Sequence, residues 1–86
     1  MPQEPLNICL ASSELTPLAK TGGLADVASA LSSFLDREGH DVRVLIPLYA
    51  SIDTSDMEIT PVQYLQNLPI QLGPHQLHYS IDTATL

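Results

Sequence analysis

Two short apolar runs on either side of a helix-period segment constrain this chain's fold more than any other feature. Residues 6–11 and 42–46 are mostly apolar and β-compatible, which is typical of strands in a parallel sheet covered on both faces. Between the runs, apolar side chains recur at the three- and four-residue spacing of an amphipathic helix, at Leu24, Val27, Ala28, Leu31, Phe34 and Leu35. Gly39 favours a helix end just before the second run. The pattern predicts a βαβ unit with two parallel strands.

The second half of the chain changes character. Residues 51–61 are polar and irregular, and residues 62–72 look extended, although Pro69 bars an unbroken central strand. Turn residues then precede alternating apolar and polar positions. We expect a β-hairpin over residues 70–81 with one solvated face. Because one helix cannot cover both faces of a parallel sheet, we also expect these 86 residues to be an incomplete domain cut from a longer protein.

The charge balance excludes several classes of function. Ten carboxylates face only Lys20, Arg37 and Arg43, for a formal net charge of −7. Nucleic-acid binding and polybasic membrane attachment both need a basic surface, so we expect neither partner. The sequence shows no targeting segment and no apolar run long enough to span a bilayer, which favours a cytoplasmic protein. The single cysteine, Cys9, permits no disulfide within the chain and is expected in the core.

The chemistry is concentrated in the polar connection between the first strand and the helix. Gly22 and Gly23 precede the helix, whose N-terminal N–H groups attract anions, and Lys20 adds a full positive charge nearby. Glycines also let a large ligand approach the backbone. A phosphate or diphosphate therefore suits this loop, although such a glycine pair is often only a tight turn. The dinucleotide and P-loop fingerprints are both absent, so ordinary NAD and ATP sites are not indicated.

Two other groups of side chains have simpler interpretations. Asp26 lies in the first helical turn, where a carboxylate also suits the helix dipole without any role in binding. His75 and His78 have no cysteine or carboxylate at metal-ligand spacing, so we expect no metal site and no cofactor.

A specific resemblance decides between the two interpretations of the loop. The segment Lys-Thr-Gly-Gly-Leu-Ala-Asp-Val at residues 20–27 resembles the N-terminal signature of bacterial glycogen synthases and plant starch synthases. The Ser-Glu at residues 13–14 and Pro17 are similar to the family's approach to this signature. Residues 39–44, followed by Pro47 and Tyr49, resemble its second strand and the exit from that strand.

The resemblance implies a two-domain GT-B glycosyltransferase whose Rossmann-like N-terminal domain begins with residues 1–86. Such an enzyme moves glucose from ADP-glucose, or UDP-glucose in some members, to the non-reducing end of an α-1,4-glucan. The anomeric configuration is retained and no metal is required. The glycosyl donor would be bound here by Lys20, Thr21, Gly22, Gly23 and Asp26.

Within that set, the resemblance gives Lys20 the diphosphate, the two glycines a close backbone approach, and Thr21 and Asp26 a lining or loop-holding role. Glu14 would line the same cleft. No complete catalytic set lies in these residues, so the 86-residue chain alone is expected to be inactive.

Two other functions remain open from the sequence. The chain would alternatively be a stand-alone, non-catalytic domain of the same ancestry that binds a nucleotide sugar or a glucan. A different sugar-nucleotide transferase of the same architecture is a third possibility, which the signature at residues 20–27 disfavours.

Overall fold

The structure is a computed structural model that describes residues 4–85. It divides into two compact units, Met1–Ile52 and Asp53–Leu86. Each unit has its own secondary structure and is described by itself.

The first unit is built from strand β1 (Asn7–Ala11), helix α1 (Gly23–Arg37) and strand β2 (Asp41–Leu45). β1 and β2 pair in parallel, with Cys9 opposite Arg43 at the middle of the ladder. α1 packs against β2. Because the two strands are parallel, their carboxyl ends lie at the same edge, and the connection from β1 to α1 starts there.

Helix α1 ends as its glycine predicts. Gly39 has φ +96°, in the region that favours glycine. The Gly39 N–H donates to the Asp36 carbonyl at 3.0 Å, and the His40 N–H donates to the Leu35 carbonyl at 3.2 Å. These two bonds form a Schellman motif, which satisfies carbonyls that the last turn would otherwise leave unpaired.

His40 follows directly and is a structural residue. It is buried, and its Nδ1 accepts the Leu6 backbone N–H at 3.0 Å. The Asp41 N–H in turn donates to the Leu6 carbonyl at 2.9 Å. The imidazole therefore ties the end of the helix to the entrance of β1, as expected for a turn residue rather than a ligand.

The core of the first unit differs from the prediction. The buried apolar residues are Leu15, Ala25, Ala28 and Ile52, all small or outside the strands. Burial alternates along both strands between half-buried and exposed, so neither strand is covered on both faces. The prediction that Cys9 lies in the core is wrong, since Cys9 is exposed. The physical reason is that α1 is the single helix of this unit and covers one face of the strand pair.

The large apolar side chains of α1 are also not where the helical pattern predicts them. Ala25 and Ala28 are buried, whereas four larger side chains remain 43–63% exposed: Leu24, Val27, Leu31 and Phe34. We call these four residues the outer stripe. The small side chains of α1 are therefore the covered ones in this unit, and the neighbouring large ones are not.

The second unit consists of short antiparallel pairs. β3 (Thr60–Pro61) pairs with β6 (Asp82–Thr83), and β4 (Leu68–Leu72) pairs with β5 (His75–Tyr79). A 3₁₀ turn, Gln63–Leu65, interrupts the segment that the sequence presents as extended. The β4–β5 pair is the expected hairpin, shifted toward the N-terminus by two residues at each end. The prediction of a single solvated face is wrong, because nine of its ten strand residues are exposed and so neither face is covered. Its turn contains Gly73 at φ +58°.

Candidate functional site

The connection from β1 to α1 is a loop held by many hydrogen bonds. Leu15 and Ala19 exchange two backbone bonds, at 2.9 and 3.1 Å, and so close a tight turn at residues 16–18. Leu15 is buried beneath this turn. The Thr16 N–H donates to the Ala25 carbonyl at 3.3 Å, which ties the turn to the first part of α1.

Two carboxylates fix the part of the loop that precedes the helix. Glu14 Oε1 accepts the Thr21 backbone N–H at 2.6 Å and also the Thr21 hydroxyl. Asp26 accepts the Thr16 hydroxyl at 2.7 Å through one oxygen and Lys20 Nζ at 2.6 Å through the other. The loop is therefore held in shape by its own side chains.

The Lys20–Asp26 ion pair lies at the surface, with the two side chains 51% and 54% exposed. The hydrogen bond from Lys20 lowers the pKa of Asp26 below its usual value, and the bond from Thr16 lowers it further. Asp26 is thus charged at neutral pH and holds Lys20 beside the first turn of α1.

The N-terminus of α1 has donors without a side-chain partner. Gly22 is the N-cap residue in an extended conformation, and no side chain caps the helix there. A Cβ added to Gly22 or Gly23 would meet no heavy atom within 4 Å among the described residues. Neither glycine has a φ that requires glycine. The fold of this unit therefore gives no reason for the glycine pair, whereas close approach of a ligand would give one.

An open depression of about 590 Å³ lies beside this loop, entirely within the first unit. Its lining combines one cation, one carboxylate and four hydroxyl groups with apolar carbon: Ser13, Glu14, Leu18, Ala19, Lys20, Thr21, Tyr49 and Ser51. Lys20, Thr21 and Glu14 of the predicted set are in this lining, and Gly22, Gly23 and Asp26 are not. The structure thus places three of the predicted residues in the lining of the depression and the other three at the N-terminus of α1.

Two residues of the loop network were missed as site residues by the sequence reasoning. The Tyr49 hydroxyl donates to the Ser13 carbonyl at 2.9 Å across 36 positions of sequence. Thr16 holds Asp26. The sequence analysis noted Tyr49 only as part of the exit from the second strand, and no local pattern marks Thr16. Both contacts arise from the three-dimensional fold of the loop, so the sequence alone does not reveal them.

Among residues 4–85, no cluster of three or more histidine, cysteine or acidic side chains is arranged to hold a metal ion. The same residues contain no helix that is both long and apolar enough to cross a membrane.

Comparison with known proteins gives the family. The sequence model of the family described as "Starch synthase catalytic domain" matches residues 7–85. The chain belongs to this family. The match includes the whole of the β1–α1 loop and both compact units apart from their outermost residues.

Curated relatives of this starch synthase family member are glycogen synthases. That of Syntrophotalea carbinolica is 53% identical over 69 residues, which is 79% of this chain and 14% of the relative. That of Moorella thermoacetica is 46% identical over 83 residues, 96% of this chain and 15% of the relative. The chain therefore spans about one-seventh of the length of these relatives.

A solved structure shares the fold. The catalytic domain of Starch Synthase IV from Arabidopsis thaliana, bound to ADP and acarbose, superposes with a TM-score of 0.81 at 24% identity. The superposition covers 96% of this chain and 17% of the plant domain. The expected α/β class is confirmed, and the hairpin-containing unit is covered as well.

Proposed function

We propose that this chain is the N-terminal part of the catalytic domain of a glycogen or starch synthase. The whole enzyme would be a GT-B glycosyltransferase with a Rossmann-like N-terminal domain. It would transfer glucose from ADP-glucose to the non-reducing end of an α-1,4-glucan with retention of configuration, in the cytoplasm. Family membership and the glycogen synthase relatives support the reaction class. The plant structure, bound to ADP and acarbose, supports a nucleotide and a sugar chain as ligands.

The observation that carries the donor site is the unfilled space over the glycine pair. Gly22 and Gly23 leave the helix N-terminus open, and nothing in the described fold requires either glycine. Lys20 is held beside the same helix end. A diphosphate oxygen would accept hydrogen bonds from the free N–H groups of the first turn and an ion pair from Lys20. These donors would stabilise the negative charge that develops on the departing nucleotide.

The other predicted donor-site residues would act by holding the loop. Asp26 would orient Lys20, since it binds Lys20 with one oxygen and Thr16 with the other. Thr21 would be fixed by Glu14, which also lines the depression. Lys20, Gly22 and Gly23 would then be the residues of this chain that meet the diphosphate.

The charge of the loop indicates that this chain does not complete the site. Lys20 is accompanied by two carboxylates, Glu14 and Asp26, so the loop carries one positive and two negative charges. Arg43 is paired with Asp41, and Arg37 lies in the last turn of α1. A nucleotide diphosphate would need further cations from outside this chain. We therefore propose that the 86 residues alone do not catalyse transfer.

Exposed apolar surface in each unit supports an incomplete domain. The outer stripe of α1 consists of four large side chains on one side of a single helix. In the second unit, Ile70, Leu72, Leu77 and Tyr79 of the hairpin are also exposed. Contiguous apolar patches of this kind mark packing surfaces.

A stand-alone binding domain is not favoured. Such a domain would present these apolar surfaces to water, and its own anion loop would be net negative. No observation on the loop favours a different sugar-nucleotide transferase over a glycogen or starch synthase.

Replacing Lys20 with alanine in the full-length synthase tests the proposal. Transfer of labelled glucose from ADP-glucose to glycogen should fall about 100- to 1,000-fold in kcat/KM, the usual effect of removing one transition-state donor. The melting temperature should stay close to that of the wild type, because an exposed ion pair contributes little to stability. UDP-glucose measured in parallel gives the nucleotide preference.

Arg37→Ala is the matched control, because it removes a cation at the opposite end of α1. It should leave transfer unchanged, and Lys20→Arg should recover part of the activity. If Lys20→Ala transfers glucose as fast as Arg37→Ala, the assignment of Lys20 to the donor diphosphate is wrong.

A further inference from the structure

The Glu14 carboxylate makes two hydrogen bonds in the described residues, and both go to Thr21. One carboxylate oxygen, Oε1, accepts both the Thr21 backbone N–H at 2.6 Å and the Thr21 hydroxyl. The two residues are seven positions apart, so this pair of bonds closes the whole loop between the tight turn and the helix. We call this contact the Glu14 clamp.

The base of the clamp is fixed to the ends of both strands. Ser12, the residue after β1, donates its N–H to the carbonyl of Leu45, the last residue of β2, at 3.0 Å. The Ser12 hydroxyl donates to the Glu14 carbonyl at 2.7 Å and accepts the Glu14 N–H at 3.3 Å. Tyr49 holds the intervening Ser13 carbonyl. The carboxylate therefore projects from a backbone that the sheet itself orients.

Thr21 stands between the two groups proposed to meet the donor. Lys20 precedes it and Gly22, the N-cap of α1, follows it. Fixing the Thr21 N–H sets the peptide plane between Lys20 and Thr21. Because the Thr21 N–H already donates to Glu14, the backbone N–H groups that remain for an anion are those at the N-terminus of α1.

We propose that Glu14 is a positioning residue for the glycosyl donor, acting through Thr21 and not by contact with the donor. This inference rests on the proposed function. It assigns the clamp a single task, which is to hold Lys20 and the N-cap in the geometry that a diphosphate requires. A contact of 2.6 Å to a charged acceptor is strong enough for this task, because hydrogen bonds to charged groups exceed neutral ones.

The test is steady-state kinetics of the full-length synthase, with ADP-glucose and glycogen varied separately. Glu14→Ala removes both bonds and should lower kcat/KM for ADP-glucose by about 10- to 100-fold, while KM for glycogen changes little. Glu14→Gln keeps an acceptor oxygen but gives up the charge, so its loss should be smaller than that of Glu14→Ala. If Glu14→Ala raises KM for glycogen and leaves kcat/KM for ADP-glucose unchanged, the positioning role is overturned.

Thr21 provides the second, independent variant, which also serves if Glu14→Ala does not fold. Thr21→Val removes the hydroxyl bond and keeps the backbone bond, so it should raise KM for ADP-glucose, and Thr21→Ser should restore it. In the Glu14→Ala background, Thr21→Val should add nothing, because both changes act on one contact. Fully additive losses would overturn the inference.

Two reference variants separate this inference from the proposed function. Glu38→Ala removes an exposed carboxylate at the far end of α1 and should match the wild type. If Lys20→Ala is as active as the wild type, the donor site itself is misassigned. If Lys20→Ala is strongly impaired and Glu14→Ala matches Glu38→Ala, only the positioning role is overturned.

Discussion

Replacing Phe34 with alanine in the full-length protein measures whether the outer stripe of α1 is a packing surface. Phe34 is 50% exposed in the first unit. A phenylalanine side chain buries roughly 150–250 Å² when fully covered, so the exposed half amounts to about 100 Å². At about 25 cal/mol per Å², covering that half contributes about 2.5 kcal/mol.

The two possibilities therefore predict different losses of stability. A fully covered Phe34 should cost about 3–5 kcal/mol on replacement with alanine, as large-to-small changes in cores do. If the outer half of Phe34 stays in water, the replacement should lower the free energy of unfolding by about half as much, because only the buried half of the side chain contributes. Urea unfolding gives the cost as the shift in midpoint multiplied by the m-value.

Glu38→Ala on the same helix should stay within about 0.5 kcal/mol of the wild type. The loss at Phe34 should not depend on protein concentration if the cover belongs to the same chain. A loss of about 2.5 kcal/mol or less would refute the reasoning, since the outer stripe would then be solvated and would give no support to an incomplete domain.

Two further predictions follow from the loop and the helix end. The pKa of Asp26 is lowered by Lys20 and Thr16, so the stabilisation from these contacts is present above the ordinary carboxyl pKa and is lost as the pH falls through the lowered value. Because the pair is exposed, Asp26→Asn should flatten the acid-side decline in melting temperature only slightly, and a decline steeper than that of the wild type would contradict it. Gly39→Ala should cost about 1–2 kcal/mol in urea unfolding because of the φ of +96°, whereas a cost near zero would show that the helix end relaxes.

The order of elements in the first unit could be predicted because its signals are local. Gly39 ends α1 through a motif that involves only the last turn and the next two residues. The apolar runs give strands within a residue of the observed β1 and β2. The sequence could not say which side of α1 meets the sheet, since Ala25 and Ala28 border the larger outer stripe on the same broad apolar arc.

The sequence could indicate which residues of the loop matter, but it could not show which of their side chains bond to one another. The glycine pair before a helix and the nearby Lys20 already suggested an anion site, and the resemblance of residues 20–27 then favoured that interpretation over a simple tight turn. The partners of Glu14 and Asp26 lie seven and ten positions away along an irregular segment. No periodicity relates such residues, so these contacts emerge only when the tight turn at residues 16–18 folds the chain back.

These hydrogen bonds limit which parts of the loop can move when a ligand binds. Thr16, Thr21 and the Leu15–Ala19 turn are each tied to α1 or to the strand ends. The Lys20 side chain has one partner in the described network, Asp26, and the glycine pair has no side chains to rearrange. A diphosphate would therefore compete with Asp26 for Lys20 while Thr16 keeps Asp26 in place. The Asp26 carboxylate would then repel the anion. Tight binding would therefore require the additional cations that we propose lie outside this chain. We expect the affinity for the nucleotide to be far weaker in these 86 residues than in the full-length protein.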